Sequence, residues 1–410
     1  MRRLAALAFA LAACNSSPAI NGSDGGSDGG GNCAPLTVRP QARQRVDAAL
    51  LPSTLKILVY GGDEAPTSSM LPAPRQLTDD LWSFDLACGT WTQLGTQQPP
   101  GAMGEYAAAL DSKRNRVILV AGQKGTTKNP PLSTEIWAYD VTAKTWAQLH
   151  PAPPTGGAPP SARVGHRAVY DAAADRLVMF GGETSINFSA TDMLGETWAL
   201  EFAAGADGTW RALGAGPSKR RDAALAIDGG GRVVLFGGAS DFSTYQNDVW
   251  VLAPSGTWKQ AAVSATAPSQ RFAMKMSFDT AGNQFLLFGG HDPASLGVMN
   301  DTWSLTVDGA GANATFTQLL AGDSDITVGG VDHLSPERRE RHAQALGGGK
   351  LWIAGGSSDC GPMDDAWTLD LASPTSWTPV VHALIDETCQ RRAMPGQTCQ
   401  PPPMDCTTPL

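Results

Sequence analysis

The sequence predicts an all-β protein built from six repeated units, each with four antiparallel strands. Six apolar runs, such as KILVYGG and RVVLFGG, stop abruptly at a glycine. A tryptophan follows each run, and a second aromatic residue comes eight to thirteen residues after that tryptophan. A proline stands 20 to 22 residues before each glycine, usually in a Pro-x-x-Arg motif. A constant spacing of this kind is typical of internal repeats.

The repeated residues occupy equivalent places in all six units. The closing glycines are Gly62, Gly122, Gly182, Gly238, Gly290 and Gly356, and the first tryptophans are Trp82, Trp137, Trp198, Trp250, Trp303 and Trp367. The motif arginines are Arg43, Arg163, Arg220, Arg271 and Arg339. Unit two departs from the pattern, because Met103 takes the arginine position and Ala121 replaces its first glycine. In unit five, Phe316 replaces the second tryptophan.

Each repeat predicts four strands with distinct roles. The first strand is expected to begin at Pro-x-x-Arg. The first residue of a strand need not donate a hydrogen bond to the sheet and can therefore be a proline. The apolar run is the second strand, and its lack of alternation indicates burial on both faces. The glycines end it because they accept positive φ angles. The third and fourth strands carry the aromatic residues, which are large enough to fill the space between adjacent sheets. Radial repetition of four-stranded sheets is the architecture of a β-propeller.

Six successive units of this type resemble the Kelch-repeat β-propellers of the galactose oxidase/Kelch type, over roughly residues 36–381. The resemblance implies a six-bladed propeller, with four antiparallel strands per blade, at residues 33–381. The 29 residues that follow Val381 are too few and too rich in proline for a seventh blade. Residues 382–410 are therefore predicted to form a Cys/Pro-rich C-terminal tail.

The N-terminal stretch MRRLAALAFALAAC resembles a bacterial lipoprotein signal, with residues 1–13 as the signal peptide and Cys14 as the lipidated residue. The alternative is an ordinary secretory signal with an incidental cysteine. The apolar run is shorter than the ~20 residues of a membrane span. Residues 14–32 then form a flexible Gly/Ser/Asp tether. We expect a propeller outside the cytoplasm, anchored by its lipid to a membrane of the bacterial cell envelope.

Six further cysteines fit an exported protein with up to three disulfides, for which fifteen pairings exist. They are Cys33, Cys88, Cys360, Cys389, Cys399 and Cys406. Three lie in the tail, which we expect to be attached to the propeller through Cys360. A zinc site is the alternative, and the absence of Cys-x-x-Cys disfavours it. We predict no metal and no cofactor.

The charge distribution excludes nucleic acid as an expected partner. The net charge is -9, with 39 acidic and 30 basic residues, and no basic stripe occurs along the chain. Nucleic-acid binding requires such a stripe to neutralise phosphates. A monomer that binds a glycan or a protein is the expectation.

The resemblance nominates the five motif arginines as ligand-binding residues, because they belong to the rim that binds ligands in Kelch propellers. Their guanidinium groups would suit carboxylates and other anions. The repeat supplies a competing interpretation, since an acid stands two residues before every first tryptophan. These acids are Asp80, Glu135, Glu196, Asp248, Asp301 and Asp365. We favour arginine–acid pairs that maintain each unit, because one asymmetric ligand does not need six equal sites.

Functional residues are then expected where the repeats differ. Glu105 and Tyr106 follow Met103, while His166 and His342 stand three residues after Arg163 and Arg339. Together with the motif arginines, these residues form the candidate ligand site. For each histidine the favoured alternative is an ordinary hydrogen-bonded or solvated side chain.

The loops between the second and third strands differ in length. From the closing glycine to the first tryptophan there are 20, 15 and 16 residues in units one to three, against 12, 13 and 11 in the others. Phe188, Phe242 and Tyr245 are expected to be exposed there for carbohydrate or protein contact. In a later loop Asp323, Asp325 and Asp332 offer calcium ligands, although a solvated loop is the favoured interpretation.

Two function classes follow. The first is a surface-anchored, non-catalytic binding propeller that recognises a glycan or a protein at this rim. The second is an exported Kelch-type carbohydrate enzyme similar to a sialic acid mutarotase, with Glu105, Glu337 and Glu340 as acid–base groups. A copper radical oxidase is less favoured, because the tyrosines and histidines are dispersed and no cysteine stands in a matching context. The G-x-S-x-G and G-x-x-x-x-G-K motifs are absent. We favour binding over catalysis.

Overall fold

The computed structural model contains strands and turns, and no helix, in the part of the chain it describes. The described residues are 33, 38–65, 74–293, 297–322, 335–358 and 361–381. Among them, no helix is long and apolar enough to cross a membrane. The all-β prediction is confirmed.

The first three units form consecutive antiparallel sheets. Unit one contains β1 (Ala48–Leu51), β2 (Lys56–Asp63), β3 (Leu77–Asp85) and β4 (Thr90–Leu94). Unit two contains β5 (Met103–Gly104), β6 (Ala107–Asp111), β7 (Arg116–Val120), β8 (Gln123–Lys124), β9 (Ile136–Asp140) and β10 (Thr145–Leu149). Unit three contains β11 (Arg167–Asp171), β12 (Arg176–Phe180), β13 (Thr197–Glu201) and β14 (Thr209–Ala212). The short strands β5 and β8 extend the sheet of unit one through β3.

The last three units repeat this order. Unit four contains β15 (Ala224–Ile227), β16 (Val233–Phe236), β17 (Val249–Leu252) and β18 (Trp258–Val263). Unit five contains β19 (Lys275–Asp279), β20 (Gln284–Asp292), β21 (Gly297–Val307) and β22 (Asn313–Leu320). Unit six contains β23 (Ala343–Gly347), β24 (Lys350–Ala354), β25 (Ser357–Ser358), β26 (Gly361–Pro362), β27 (Ala366–Asp370) and β28 (Trp377–Val381). The outer strands β18 and β22 also pair in parallel.

The first strands of the units form a closed ring. Each of β1, β6, β11, β15, β19 and β23 contacts the next, and β23 contacts β1. Backbone hydrogen bonds also join the units, because the second glycine of one unit donates to the arginine carbonyl of the next. The bond from Gly356 to Arg43, at 2.8 Å, joins the last unit to the first. This arrangement is consistent with a Kelch β-propeller.

The hydrophobic core lies between neighbouring units, as predicted. Six clusters of buried side chains each combine residues of two adjacent units. The aromatic residues of the fourth strands take part: Trp146 packs on Tyr60 with ring centroids 4.9 Å apart, and Trp377 packs on Phe288 at 5.1 Å. Each unit therefore needs its neighbours to bury its apolar surface.

The prediction that the first strand begins at Pro-x-x-Arg is wrong. These strands begin four or five residues after the arginine position, at Ala48 in unit one and at Ala224 in unit four. The cause lies two residues after that position, where all six units have a φ angle between 53° and 66°. This left-handed residue turns the chain before the extended strand starts.

The second glycine of the pair has a steric explanation. Gly182 has a φ of +99°, and a β-carbon there would lie 2.7 Å from the carbonyl oxygen of Val164. The first position is also crowded, since a β-carbon at Gly181 would lie 2.5 Å from the carbonyl oxygen of Arg220. In unit two Ala121 occupies this position with a φ of 53°.

Within the described residues, one disulfide joins two of the six candidate cysteines, whose pairing the sequence left open. Cys33 is bonded to Cys88, in the turn between β3 and β4. Cys360 and the tail cysteines lie outside the described residues, as do the signal peptide, Cys14, the tether and residues 382–410.

Candidate functional site

The motif arginines form the predicted pairs with the repeated acids. We call each set of arginine, acid and tryptophan a clamp. The guanidinium nitrogens lie 2.5 to 3.0 Å from the carboxylate oxygens in the pairs Arg43–Asp80, Arg163–Glu196, Arg220–Asp248, Arg271–Asp301 and Arg339–Asp365. Four of the five pairs have two such bonds, which is the strong bidentate geometry.

Each clamp also ties together two turns of its unit. The arginine donates to the carbonyl of the first glycine at 2.7 to 3.2 Å. The indole nitrogen of the first tryptophan donates to the acid in all six units, at 2.5 to 2.9 Å. In unit two Lys124 bonds Glu135 in place of the missing arginine. The five arginines are at most 4% exposed, so these hydrogen bonds lie in the interior of the protein. Each clamp therefore connects the turn after the second strand to the start of the third strand in its unit.

The structure separates the other candidate residues. Tyr106 packs in the core between units one and two, where its hydroxyl donates to the Tyr60 carbonyl. His166 is fully buried, bonds the Val120 carbonyl at 3.0 Å, and has its pKa lowered to about 3, mainly by burial. Burial also lowers the pKa of His342, which lies edge-on to Phe288. Both rings are therefore neutral near pH 7. Of these four residues only Glu105 reaches the charged cluster described next, which also contains Glu340, one of the acid–base candidates.

The six left-handed residues form a second ring around the axis of the molecule. This axial ring consists of Arg45, Glu105, Gly165, Asp222, Ala273 and Arg341. Their backbones are hydrogen-bonded from unit to unit; for example, Arg341 N–H donates to the Ala273 carbonyl at 2.9 Å, and Arg45 N–H donates to the Arg341 carbonyl at 3.1 Å. Four of the six carry charged side chains, although glycine avoids the strain of this conformation.

These side chains belong to a buried group that we call the mouth cluster. It consists of Arg45, Asp63, Arg75, Glu105, Glu183, Arg221, Asp222, Glu340 and Arg341, each no more than 9% exposed. Arg221 lies at its centre, 2.7 Å from Glu183, 2.9 Å from Asp222 and 3.2 Å from Glu105. Glu105 also pairs with Arg45. Since Glu105 and Arg221 belong to units two and four, which are not neighbours, the cluster spans the axis.

The electrostatics of the mouth cluster show several cations held close together. Burial, followed by the neighbouring guanidinium groups of Arg341 and Arg75, lowers the pKa of Arg45 well below its usual value. The pKa of Arg75 is lowered to about 10 by burial, despite the attraction of Asp63. Burial alone would raise the pKa of Glu340, but Arg341 and His291 lower it to about 2. Glu340 is therefore ionised near pH 7, beside the guanidinium group of Arg341.

A further ion pair lies across the axis, at the start of two of the first strands. Lys275 of unit five contacts Asp47 of unit one at 2.7 Å. Burial lowers the pKa of Lys275 to about 8, although Asp47 opposes the shift. These units are also not neighbours in the ring, so this pair occupies the space on the axis.

An aromatic shelf borders the mouth cluster on the loops of units three to five. It consists of Phe188, Phe242, Tyr245 and Phe272. Phe188 and Phe242 stack at 5.2 Å, Tyr245 and Phe272 at 5.5 Å, and the Arg221 guanidinium lies 4.3 Å from the centre of Phe188. The expectation that Phe188 is exposed is wrong, because Phe242 covers one side of it and Arg221 packs against it as well. Phe242 itself is 42% exposed.

Sequence reasoning placed the candidate site at the rim of the motif arginines and missed most of the charged residues that lie there. Residues one or two positions after the motif arginine, such as Arg221 and Arg341, were not singled out, although the sequence at these positions varies between units. The rule that function lies where repeats differ would have found them one or two positions after the arginine. His166 and His342, three positions after it, are core residues instead. Asp323, Asp325 and Asp332 lie outside the described residues.

The repeats of this chain are similar to those of a known family. Residues 150–309 match the KLHDC2/KLHL20/DRC7 Kelch-repeats domain. This span includes β11 to β21, so the Kelch resemblance is supported for the middle of the ring.

Curated proteins show similarity over a longer stretch. Acyl-CoA-binding domain-containing protein 4 of Arabidopsis thaliana is 26% identical over 63% of this chain, and human host cell factor 2 is 24% identical over 62%. Host cell factor 1 of Rattus norvegicus is 30% identical over 53%. The chain spans only 36%, 31% and 11% of the length of these relatives. A Kelch-repeat domain favours a protein-interaction propeller.

Proposed function

We propose that this chain is a six-bladed Kelch propeller that binds a protein partner without catalysis. The binding face is the one that carries the mouth cluster and the aromatic shelf. The six units, the closed ring of first strands and the Kelch match at residues 150–309 support the blade number and the interaction role.

The axial ring is the observation that carries this proposal. Arg45, Glu105, Asp222 and Arg341 combine a left-handed backbone with a buried charge. Each of these features costs folding free energy, on the order of 1 kcal/mol for the backbone alone. Gly165 shows that an uncharged residue fits the same ring. Charges that folding does not require are expected at a functional site.

The chemistry of the cluster favours binding over the mutarotase alternative. Acid–base catalysis needs a group that exchanges protons near the working pH. Glu105 pairs with Arg45 and Arg221, and the pKa of Glu340 is lowered to about 2. Glu340 therefore stays ionised near pH 7, and Glu105 is held between two guanidinium groups, an arrangement that suits recognition.

The proposed location is the bacterial cell envelope, with lipid on Cys14 and residues 15–32 as a tether. The lipoprotein-like N-terminal sequence and the Cys33–Cys88 disulfide support this. Disulfides persist in oxidising compartments outside the cytoplasm.

Site-specific photocrosslinking in the expressing cells tests the binding face. The photoreactive residue replaces Thr184 or Asn247, which are exposed in loops of the proposed face. In the matched controls it replaces Lys113 or Lys144, exposed in turns at the opposite end of unit two. We expect a discrete crosslinked protein from the first two positions and none from the controls. Crosslinks from the control positions alone would overturn the proposal.

A further inference from the structure

Phe242 is unusual among the residues that the structure describes. It is one of two large apolar side chains that are exposed there, at 42%, and the other is Val38 at 52%. Val38 lies near the start of the described chain, whereas Phe242 stacks on Phe188. Because Phe188 is buried and packs against the guanidinium of Arg221, Phe242 stands on a fixed base.

The loop that carries Phe242 is fixed by its own hydrogen bonds. Ser240 N–H donates to the Thr244 carbonyl at 2.9 Å, and the backbone N–H of Ser243 donates to Asp241 at 2.7 Å. The Tyr245 hydroxyl donates to the Phe242 carbonyl. A loop held in one conformation loses little entropy when a ligand binds.

The surroundings of the exposed ring are acidic. The hydrogen bonds from Ser243 lower the pKa of Asp241, so this partly exposed carboxylate is ionised near pH 7. Burial, followed by the charges of Asp241 and Asp292, raises the pKa of Tyr245. The carboxylates of Asp241 and Asp292 therefore lie close enough to the aromatic shelf to influence Tyr245. The Arg221 guanidinium is buried beside Phe188 and already pairs with Glu105, Glu183 and Asp222.

We propose that the aromatic shelf binds a basic segment of a protein partner, with a lysine or arginine side chain over the Phe242 ring and its charge near Asp241. An aromatic face attracts a cation through its quadrupole, and a carboxylate nearby adds to that attraction. The net charge of -9 favours the approach of a basic partner. This inference rests on the proposed binding function and specifies the chemistry of its partner.

The test measures fluorescence polarisation of labelled ten-residue peptides with the full chain, at two salt concentrations. The probes are Lys/Arg-rich peptides, acidic peptides of matched length and neutral ones. We expect the basic peptides to bind, and we expect added salt to weaken their binding. Phe242→Leu should weaken binding roughly tenfold, since it keeps an apolar side chain but removes the π face, and Phe242→Trp should retain binding. Asp241→Asn should weaken binding severalfold and reduce the salt dependence.

Val38→Ala is the matched control, and we expect wild-type affinity from it. Equal binding of acidic peptides, or no binding of basic peptides at millimolar concentration, would overturn the inference. Full affinity of the Phe242→Leu variant would also overturn it. Selective binding of an arrayed glycan that Phe242→Leu abolishes would replace it with carbohydrate recognition. Because crosslinking from Thr184 and Asn247 is independent of peptide charge, failure here leaves the proposed binding face intact.

Discussion

Two sets of ion pairs lie on the same face of this protein and are distributed differently along the chain. The clamps recur with the same partners in five units, and unit two substitutes Lys124 for the arginine. The mouth cluster takes different residues from five of the units, and its Arg221–Glu105 pair joins two units that are not neighbours. Repetition therefore indicates what each unit needs in order to fold. Variation on the same framework indicates what the whole ring presents to a ligand.

The largest expected effect comes from breaking one clamp. Arg220→Met removes the only guanidinium of its pair and leaves Asp248, 19% exposed, with the Trp250 indole. Removing one partner of a buried ion pair costs about 3–5 kcal/mol. We expect the free energy of unfolding in urea to fall by about 3 kcal/mol.

Lys124→Met in unit two is the matched control for this clamp. Its pair with Glu135 is 26% and 32% exposed, so we expect a loss of less than about 1 kcal/mol. Unchanged unfolding of Arg220→Met would show that the clamps do not stabilise the units. The arginines would then return as ligand-binding candidates.

The clamps show how far the sequence alone can predict this structure. The regular spacing of Gly238 and Trp250 is enough to predict four main strands in each unit, their order and the arginine–acid pairs, because the same pattern recurs along the chain. It does not predict where the first strand begins. The left-handed turn at Asp222 could not be predicted, since the sequence at that position varies from glycine to arginine. The contact of Arg221 with Glu105 was also inaccessible, because it depends on how six units close around an axis.

The Lys275–Asp47 pair across the axis predicts that the free energy of unfolding changes with pH in the alkaline range, by an intermediate amount. Because the pKa of Lys275 is lowered to about 8 in the folded state and is about 10.4 in an unfolded chain, the unfolded state binds more protons between these values. Stability should therefore rise with pH in this window, by about 2 kcal/mol between pH 8 and 10. Lys275→Met should lack this rise.

The measurement is the difference in unfolding free energy between wild type and Lys275→Met from pH 7 to pH 10. Other titrating groups are common to both proteins and cancel in this difference. A difference that stays constant over the range would mean that Lys275 is solvated and that the axis is open to water.

The smallest change in unfolding free energy is expected from a variant of the mouth cluster, which should also cause the largest loss of partner binding. The double substitution Arg45→Gly with Glu105→Gly removes a complementary pair and relieves two left-handed side-chain positions. Asp63, Arg75 and Arg221 each lose one partner, but the Arg75–Asp63 and Arg221–Glu183 pairs remain. We therefore expect the unfolding free energy to change by no more than about 1 kcal/mol. Crosslinking of the partner from Asn247 should be lost.

This outcome would separate the two sets of ion pairs by their purpose. In the expected result, the clamp variant unfolds easily and still binds the partner when it is folded, while the mouth-cluster variant is stable and does not bind. That pair of results would mean that the charges of the mouth cluster are retained for recognition. A loss of several kcal/mol in the double variant would place the mouth cluster with the clamps as part of the framework. The axial strain would then be compensated within the fold, and the aromatic shelf would be left as the part of this face that determines which partner binds.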